Sequence, residues 1–221
     1  MTAPPDVTKT ASPSPAVTRL IWAGLAAFML VVAGLAAVSW QRGAASAPPV
    51  FGELPDFALT ERSGQMVTPA DLAGKPWVAD FIFTRCRGTC PVLSTRMREL
   101  RRLTRDAGVP ARFVSFSVDP SHDTPAVLRE YAAAFGADGD DWLFVTGERD
   151  KLYDLIGRGF RLSVADRTTE DPGATAGELI THSDRFVLVD GRGRIRGYYH
   201  GTDPQSAPVL LRDLGAVARE D

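Results

Sequence analysis

The sequence predicts an α/β domain carried behind one N-terminal membrane-crossing helix. Three observations lead there: an uncharged apolar run from Leu20 to Trp40, an alternation of strand-like and helix-like segments from Trp77 onward, and a hairpin signal followed by one last helix. The chain has 221 residues and a formal net charge of -2, enough for one domain with a sizeable core plus an appendage. There is no global basic footprint and no nucleic-acid motif, so nucleic acid is not an expected partner.

Leu20 to Trp40 contains 21 residues without a charge, which at ~1.5 Å per residue spans the roughly 30 Å of bilayer hydrocarbon. Trp22 and Trp40 stand near its ends, at headgroup level, and Lys9 and Arg19 precede it while Arg42 alone follows closely. That bias favours the N-terminus inside. Ala45-Ser46-Ala47 resembles a signal-peptide cleavage site, but the apolar run is longer than the usual apolar region of a cleaved signal, which favours an anchor. The first 19 residues contain Asp6 and lack the Arg-rich amphipathic character of a mitochondrial presequence. The expected layout is a cytoplasmic tail (1–19), a single-pass anchor in a bacterial inner membrane (20–40), a linker (41–50) and a periplasmic domain (51–221).

Within the domain, Leu54 to Lys75 reads as an added N-terminal hairpin turning at Ser63-Gly64. Trp77 to Thr84 is apolar and rich in β-branched and aromatic residues, with Asp80 its one charge, as expected of a strand buried on both faces. Pro91 suits a helix start, Leu93, Met97 and Leu100 recur at helical spacing, and Gly108 closes the segment. Arg112 to Val118 is the next strand. Asp123-Thr124-Pro125 supplies a capping residue and a first-turn proline for a helix ending at Gly136. Trp142 to Thr146 is a strand and Asp150 to Gly159 a short helix, and the polar stretch Asp166 to Glu178 reads as a mobile loop. Arg185 to Val189 and Arg194 to Tyr199 flank the turn signal Asp190-Gly191-Arg192-Gly193, and Pro208 to Ala218 forms the closing helix. This order predicts a parallel sheet with one antiparallel edge and helices on both faces, and it matches a thioredoxin-like fold with insertions.

Both cysteines, Cys86 and Cys90, fall in the exported part, too few for a disulfide framework and too close for a useful staple. They flank Arg87-Gly88-Thr89 at a strand-to-helix junction, where one helical turn brings both thiols to one side, able to share a metal or form a disulfide. The positive start of the helix, with Arg85 and Arg87 nearby, favours thiolates. Arg96, Arg98, Arg101, Arg102 and Arg105 make the outer side of the following helix basic, a solvated face or a surface for an anionic partner.

At these residues the sequence resembles the SCO/SenC family of copper proteins. The run Phe83 to Pro91 is similar to the family's Cys-x-x-x-Cys-Pro segment, Val118-Asp119-Pro120 with Asp123-Thr124-Pro125 to its second motif, and Ile180-Thr181-His182-Ser183 to its histidine motif. The resemblance implies a thioredoxin-like domain whose Cys86, Cys90 and His182 bind a copper ion. The implied role is a metallochaperone for the dinuclear copper site of cytochrome c oxidase, with the oxidase's copper-binding subunit as recipient and another copper chaperone or thiol reductase as a further partner. Thiolates suit Cu(I), and imidazole suits either copper state. Arg87 and Thr181 stand where many members have Pro and Asp. Thr181 removes an acidic neighbour that would orient the imidazole, a task for which Asp184 is the available substitute. His122 and His200 read as surface or structural residues, and Asp119 as either a charge near the metal loop or a turn residue before Pro120.

The alternative is an enzyme, a membrane-tethered thiol:disulfide oxidoreductase that uses Cys86 and Cys90 to keep the oxidase's copper-ligand cysteines reduced. Its weakness is the Cys-x-x-x-Cys spacing, where thioredoxin-like redox motifs have Cys-x-x-Cys. A peroxidase shares the scaffold but needs a Pro-x-x-x-Thr-x-x-Cys arrangement that the segment before Cys86 lacks. Cys₂His with a water would also suit zinc.

Overall fold

The computed structural model describes residues 15–43, 46–166 and 180–221, with the side chains of residues 15, 17, 37–43, 166 and 180–182 outside that description. Two compact units divide the chain, residues 1–46 and 47–221. The first contains helix α1 (Pro15–Gly43). Its stretch Thr18–Ala36 is long and apolar enough to cross a membrane. Leu20, Trp22, Phe28, Met29, Leu30 and Leu35 are all exposed on it. A long helix that is apolar all round suits lipid as its solvent.

The second unit is built on an eight-stranded sheet. In chain order its strands are β1 (Gly52–Glu53), β2 (Leu59–Glu61), β3 (Met66–Val67), β4 (Trp77–Ile82), β5 (Arg112–Ser117), β6 (Trp142–Thr146), β9 (Arg185–Val189) and β10 (Arg194–His200). A separate two-stranded ribbon pairs β7 (Val164–Asp166) with β8 (Ile180–His182). The helices are α2 (Pro69–Leu72), α3 (Thr89–Asp106), α4 (Pro125–Ala134), α5 (Arg149–Asp154), continued by a π-helical turn Leu155–Gly159, and α6 (Ser206–Val217). The sheet order is β1-β10-β9-β4-β5-β6-β2-β3. Among the described residues the parallel pairings are β4 with β5 and β5 with β6. Antiparallel strands extend the sheet on both sides, where the sequence suggested one antiparallel edge.

β4 is buried at every position, as its uninterrupted apolar run requires. It ends at Ile82, two residues before the predicted end, and Thr84 turns into the cysteine loop. The side chains of Trp77, Phe81, Phe116 and Phe160 form one aromatic cluster on one face, with Phe81 stacked on Phe116 at 5.7 Å and edge-on to Phe160 at 5.0 Å. On the opposite face, Ser94 of α3 and Tyr131 of α4 share a hydrogen bond of 2.8 Å, and Tyr131 meets Phe144 edge to face. Both predicted helix stops hold for the same reason. Gly108 and Gly136 take φ +66, and the amides of Val109 and Ala137 reach back to the carbonyls of Thr104 and Ala132. Only glycine adopts that conformation without strain while satisfying the last carbonyls of a helix.

The N-terminal hairpin forms as expected, β2 against β3 with Gly64 at φ +89 in its turn. Three features were not anticipated: β1, which pairs with β10, the short helix α2, and the β7–β8 ribbon. The predicted mobile loop falls mostly on residues 167–179, outside the described residues. The basic helix face needs correction. Arg101 is buried, its guanidinium holding the Asp141 carboxylate at 2.6 and 2.9 Å and the Gly136 carbonyl at 3.1 Å. Arg105 joins Asp141, Arg102 pairs with Asp106 and Arg96 with Glu99, so carboxylates neutralise most of the run.

Phe116 is fully buried and touches four aromatic partners, Phe57, Trp77, Phe81 and Phe160. Phe116→Ala is expected to lower stability by about 3–5 kcal/mol, measured as a reduced denaturant midpoint at unchanged slope. A loss under about 1 kcal/mol would contradict a core centred on this cluster.

Candidate metal centre

The cysteine loop leaves the C-terminal end of β4, and α3 begins at Thr89 with Gly88 as its cap. Cys90 therefore lies in the first turn. Its amide donates to the Cys86 sulfur at 3.5 Å, so Cys86, in the loop before the helix, is brought against the helix start by that bond and not by a helical turn between the two cysteines. Cys86 is half-buried, Cys90 is fully buried, and the two are unbonded. The expectation of thiolates fails for Cys90, because burial pushes its thiol far above the ordinary value. Arg85, expected to help, is turned to another task.

That task is a clamp. The Arg85 guanidinium donates twice to the buried Asp119 carboxylate, at 2.9 and 2.6 Å, and Ser121 adds a third bond at 3.0 Å. One residue earlier, the Thr84 amide and hydroxyl donate to the Asp123 carboxylate at 3.2 and 2.6 Å, which the Ser117 hydroxyl also meets at 2.6 Å. Two carboxylates on the loop after β5 thus hold the two residues directly before Cys86. Asp119 acts on the cysteine loop through Arg85, and its backbone carbonyl also forms the turn before α4 by accepting from His122 and Asp123. Thr124 caps α4, its hydroxyl accepting from the Val127 amide.

Beneath the pair lies Asp80, on β4 opposite Ser115 of β5, fully buried and with neither carboxylate oxygen in hydrogen-bond geometry with a partner. Burial pushes it up to about 7, and the Ser115 hydroxyl draws it down only in part. The sequence showed Asp80 as the single charge of a buried strand, which was the signal for it.

His182, which the sequence places on a loop entering the last hairpin, lies instead on β8, its backbone paired with Val164. Its side chain is outside the described residues. Two observations fix where the segment runs. β9 is antiparallel to β4 with Ala79 opposite Val187, and continuing that register brings Phe83 level with Ser183. Farther on, the Gly201 amide bonds the Asp184 carbonyl at 2.9 Å, and a Cβ at Gly201 would come 2.5 Å from Leu93, one turn past Cys90. The backbone after His182 therefore passes the end of the sheet that carries the cysteines. Asp184 is engaged by His200 at 3.3 Å and Thr202 at 3.1 Å. His122 and His200 are both exposed. Among the described residues no three His, Cys, Asp or Glu side chains converge in a metal-binding group. What is described is a pair of soft sulfur donors on a rigid helix start, a donor set that fits Cu(I) better than it fits a hard cation.

A sheet of parallel centre and antiparallel flanks with a thiol pair at its central strand-to-helix junction defines a thioredoxin-like protein. The SCO1/SenC family model matches residues 48–217, and the chain belongs to that family. A SCO1 protein homolog of Bacillus subtilis is 29% identical over 171 residues, covering 77% of this chain and 85% of that one. Two solved structures share the fold. BsSco, described as a member of the Sco family of cytochrome c oxidase assembly proteins and as having a disulfide switch, superposes with TM-score 0.69 at 26% identity, covering 80% of this chain and 98% of the other. Yeast Sco1 with copper bound gives TM-score 0.61 at 25% identity, covering 74% and 87%.

Asp80 has a consequence for stability. Below about pH 4 both the folded and the unfolded carboxyl hold a proton. Between the ordinary carboxylate range and about 7 the unfolded chain releases a proton that native Asp80 keeps, so stability falls as pH rises through that window. At ~1.4 kcal/mol per unit the loss reaches a few kcal/mol. Asp80→Asn is expected to be stabilising, with a gap in denaturant midpoint over the parent that widens from about pH 4 to about pH 8; an equal gap at both would refute the buried acid's role.

Proposed function

We propose that this chain is a membrane-anchored copper metallochaperone that takes up copper through Cys86, Cys90 and His182 and delivers it to the dinuclear copper site of a respiratory cytochrome c oxidase. In this reading residues 1–19 are cytoplasmic, 20–40 cross the inner membrane, 41–50 form a linker, and 51–221 work in the periplasm. The observation that carries it is the thiol pair: two sulfurs on one side of the helix start, with the preceding residues clamped by Asp119 and Asp123. Yeast Sco1, crystallised with copper, and BsSco, of an oxidase assembly family, support the metal and the recipient.

The residues divide the work. Cys86 is reachable from solvent and exchanges ligands with a partner first, while buried Cys90 retains the cargo. Its raised thiol means that binding must displace a proton, which makes uptake weaker as pH falls. The recipient is the oxidase's copper-binding subunit, with another copper chaperone as donor.

A second reading, thiol:disulfide exchange, is favoured by the same asymmetry. Cys86 as thiolate attacks one sulfur of a partner's disulfide and releases the other as thiolate. Cys90, deprotonated, then displaces the partner from the mixed disulfide, leaving Cys86–Cys90 oxidised and the partner's two cysteines reduced.

Titration of the full-length chain in neutral detergent with Cu(I), against a competing chelator, is expected to give about one copper per chain. Cys86→Ser, Cys90→Ser and His182→Ala are each expected to weaken binding at least about tenfold. Undiminished affinity in His182→Ala would remove the histidine from the site, and disulfide reduction that persists in that variant without copper binding in the parent would establish the second reading instead.

A further inference from the structure

A cavity of about 540 Å³ opens beside the start of β9, lined by Phe51, Arg161, Leu162, Ser183, Arg185 and Tyr198 among others. It falls within the roughly 300–1,000 Å³ range of ligand pockets. Phe51 and Tyr198 meet edge to face at 6.0 Å and supply an aromatic wall. Arg161 and Arg185 bring two guanidiniums. Neither the cysteine pair nor its clamp uses any of these residues, yet Ser183 and Arg185 flank the cavity immediately after His182 in the chain.

Arg161 is held in place by unusual means. Among the described residues it is the one non-glycine with a left-handed backbone, φ 57. A non-glycine residue persists in that conformation only where its surroundings impose it. Its guanidinium lies across Gly52, where a Cβ would come within 3.2 Å of Nη2, and Nη1 donates to the Phe51 carbonyl at 3.1 Å. No carboxylate pairs with Arg161 among the described residues. Arg185 has Asp184 only at 3.9 Å. Among the described residues the cavity therefore combines an apolar wall with two guanidiniums that only Asp184, beside Arg185, offsets, the complement of an acidic segment that carries an aromatic side chain.

We propose that this cavity is a docking site for an acidic segment of a partner protein, with one aromatic side chain seated against Phe51 and Tyr198 and flanking carboxylates on Arg161 and Arg185. The partner's identity as the copper recipient rests on the function proposed above; the docking chemistry does not. An aromatic wall beside the two guanidiniums suits a seated aromatic side chain, whereas a membrane surface would use the arginines alone.

The test uses the full-length chain in neutral detergent and the fluorescein-labelled peptide Gly-Asp-Phe-Glu-Gly, followed by fluorescence anisotropy. Binding is expected, weakening as salt is raised from about 50 to about 300 mM. The neutral peptide Gly-Asn-Phe-Gln-Gly and the double variant Arg161→Gln/Arg185→Gln should each bind roughly tenfold more weakly. Phe51→Ala should also weaken binding. Arg185→Gln alone provides a second reading should the double variant misfold, which circular dichroism checks. His182→Ala should bind the peptide as the parent does, so loss of copper without loss of peptide separates failure of the metal assignment from failure of the groove. Three results would overturn the proposal: no acidic peptide binding, equal affinity for the neutral peptide, or arginine-dependent binding to phosphatidylglycerol vesicles in place of the peptide.

Discussion

The thiol pair depends on a grip supplied from a neighbouring strand. Asp119 and Asp123 leave the end of β5 and close on Arg85 and Thr84, which leave the end of β4. Two parallel strands that end side by side could each release a loop in any direction. Because charged and neutral hydrogen bonds join the two loops over a buried base, the cysteine loop has one course. The desolvated carboxylates would be costly if unpaired, and their partners are the residues that must be immobilised. Burial raises Asp123 above the usual carboxylate range, an effect that Ser117 and Thr84 oppose by hydrogen bonding.

The two faces of the sheet divide the labour. One holds the aromatic cluster around Phe116 and contains little but hydrocarbon. The other, beneath α3 and α4, admits polar groups: Asp80, Ser115 bonded by the Trp142 indole at 2.9 Å, and the Ser94–Tyr131 pair. Packing on the first face fixes the strand, and the polar groups on the second surround the buried Cys90. An unpaired acid beneath a buried thiol opposes stability, and such a group persists where a protein requires more of a site than stability.

Much of this was legible in the sequence. β4 announced itself by an unbroken apolar run, α4 by Thr124 and Pro125, and the last hairpin by its glycines. The exceptions have physical reasons. β1, β7 and β8 have two or three residues each, too short for periodicity to show, and their pairing is decided by distant partners. Asp123 stands next to the cap in sequence, and only the proximity of Thr84 and Ser117 gives it a role in the clamp. Arg101 reads as surface by type, although its position four residues after Met97 puts it on the buried face, where Asp141 awaits it. Arg161 carries no sequence signal, since its importance comes from a backbone conformation.

Arg196 is buried at a bulge of β10, and its one guanidinium binds the Pro48 carbonyl, the Asp190 carboxylate and the Glu220 carboxylate. A pull on the chain entering at Pro48 therefore falls first on Arg196 and spreads into the hairpin turn and the chain's last residues. β9 separates that edge from β4. The chain's entry at Pro48 is thus tied down at one side of the sheet, with β9 standing between it and the strand that leads into the cysteine loop.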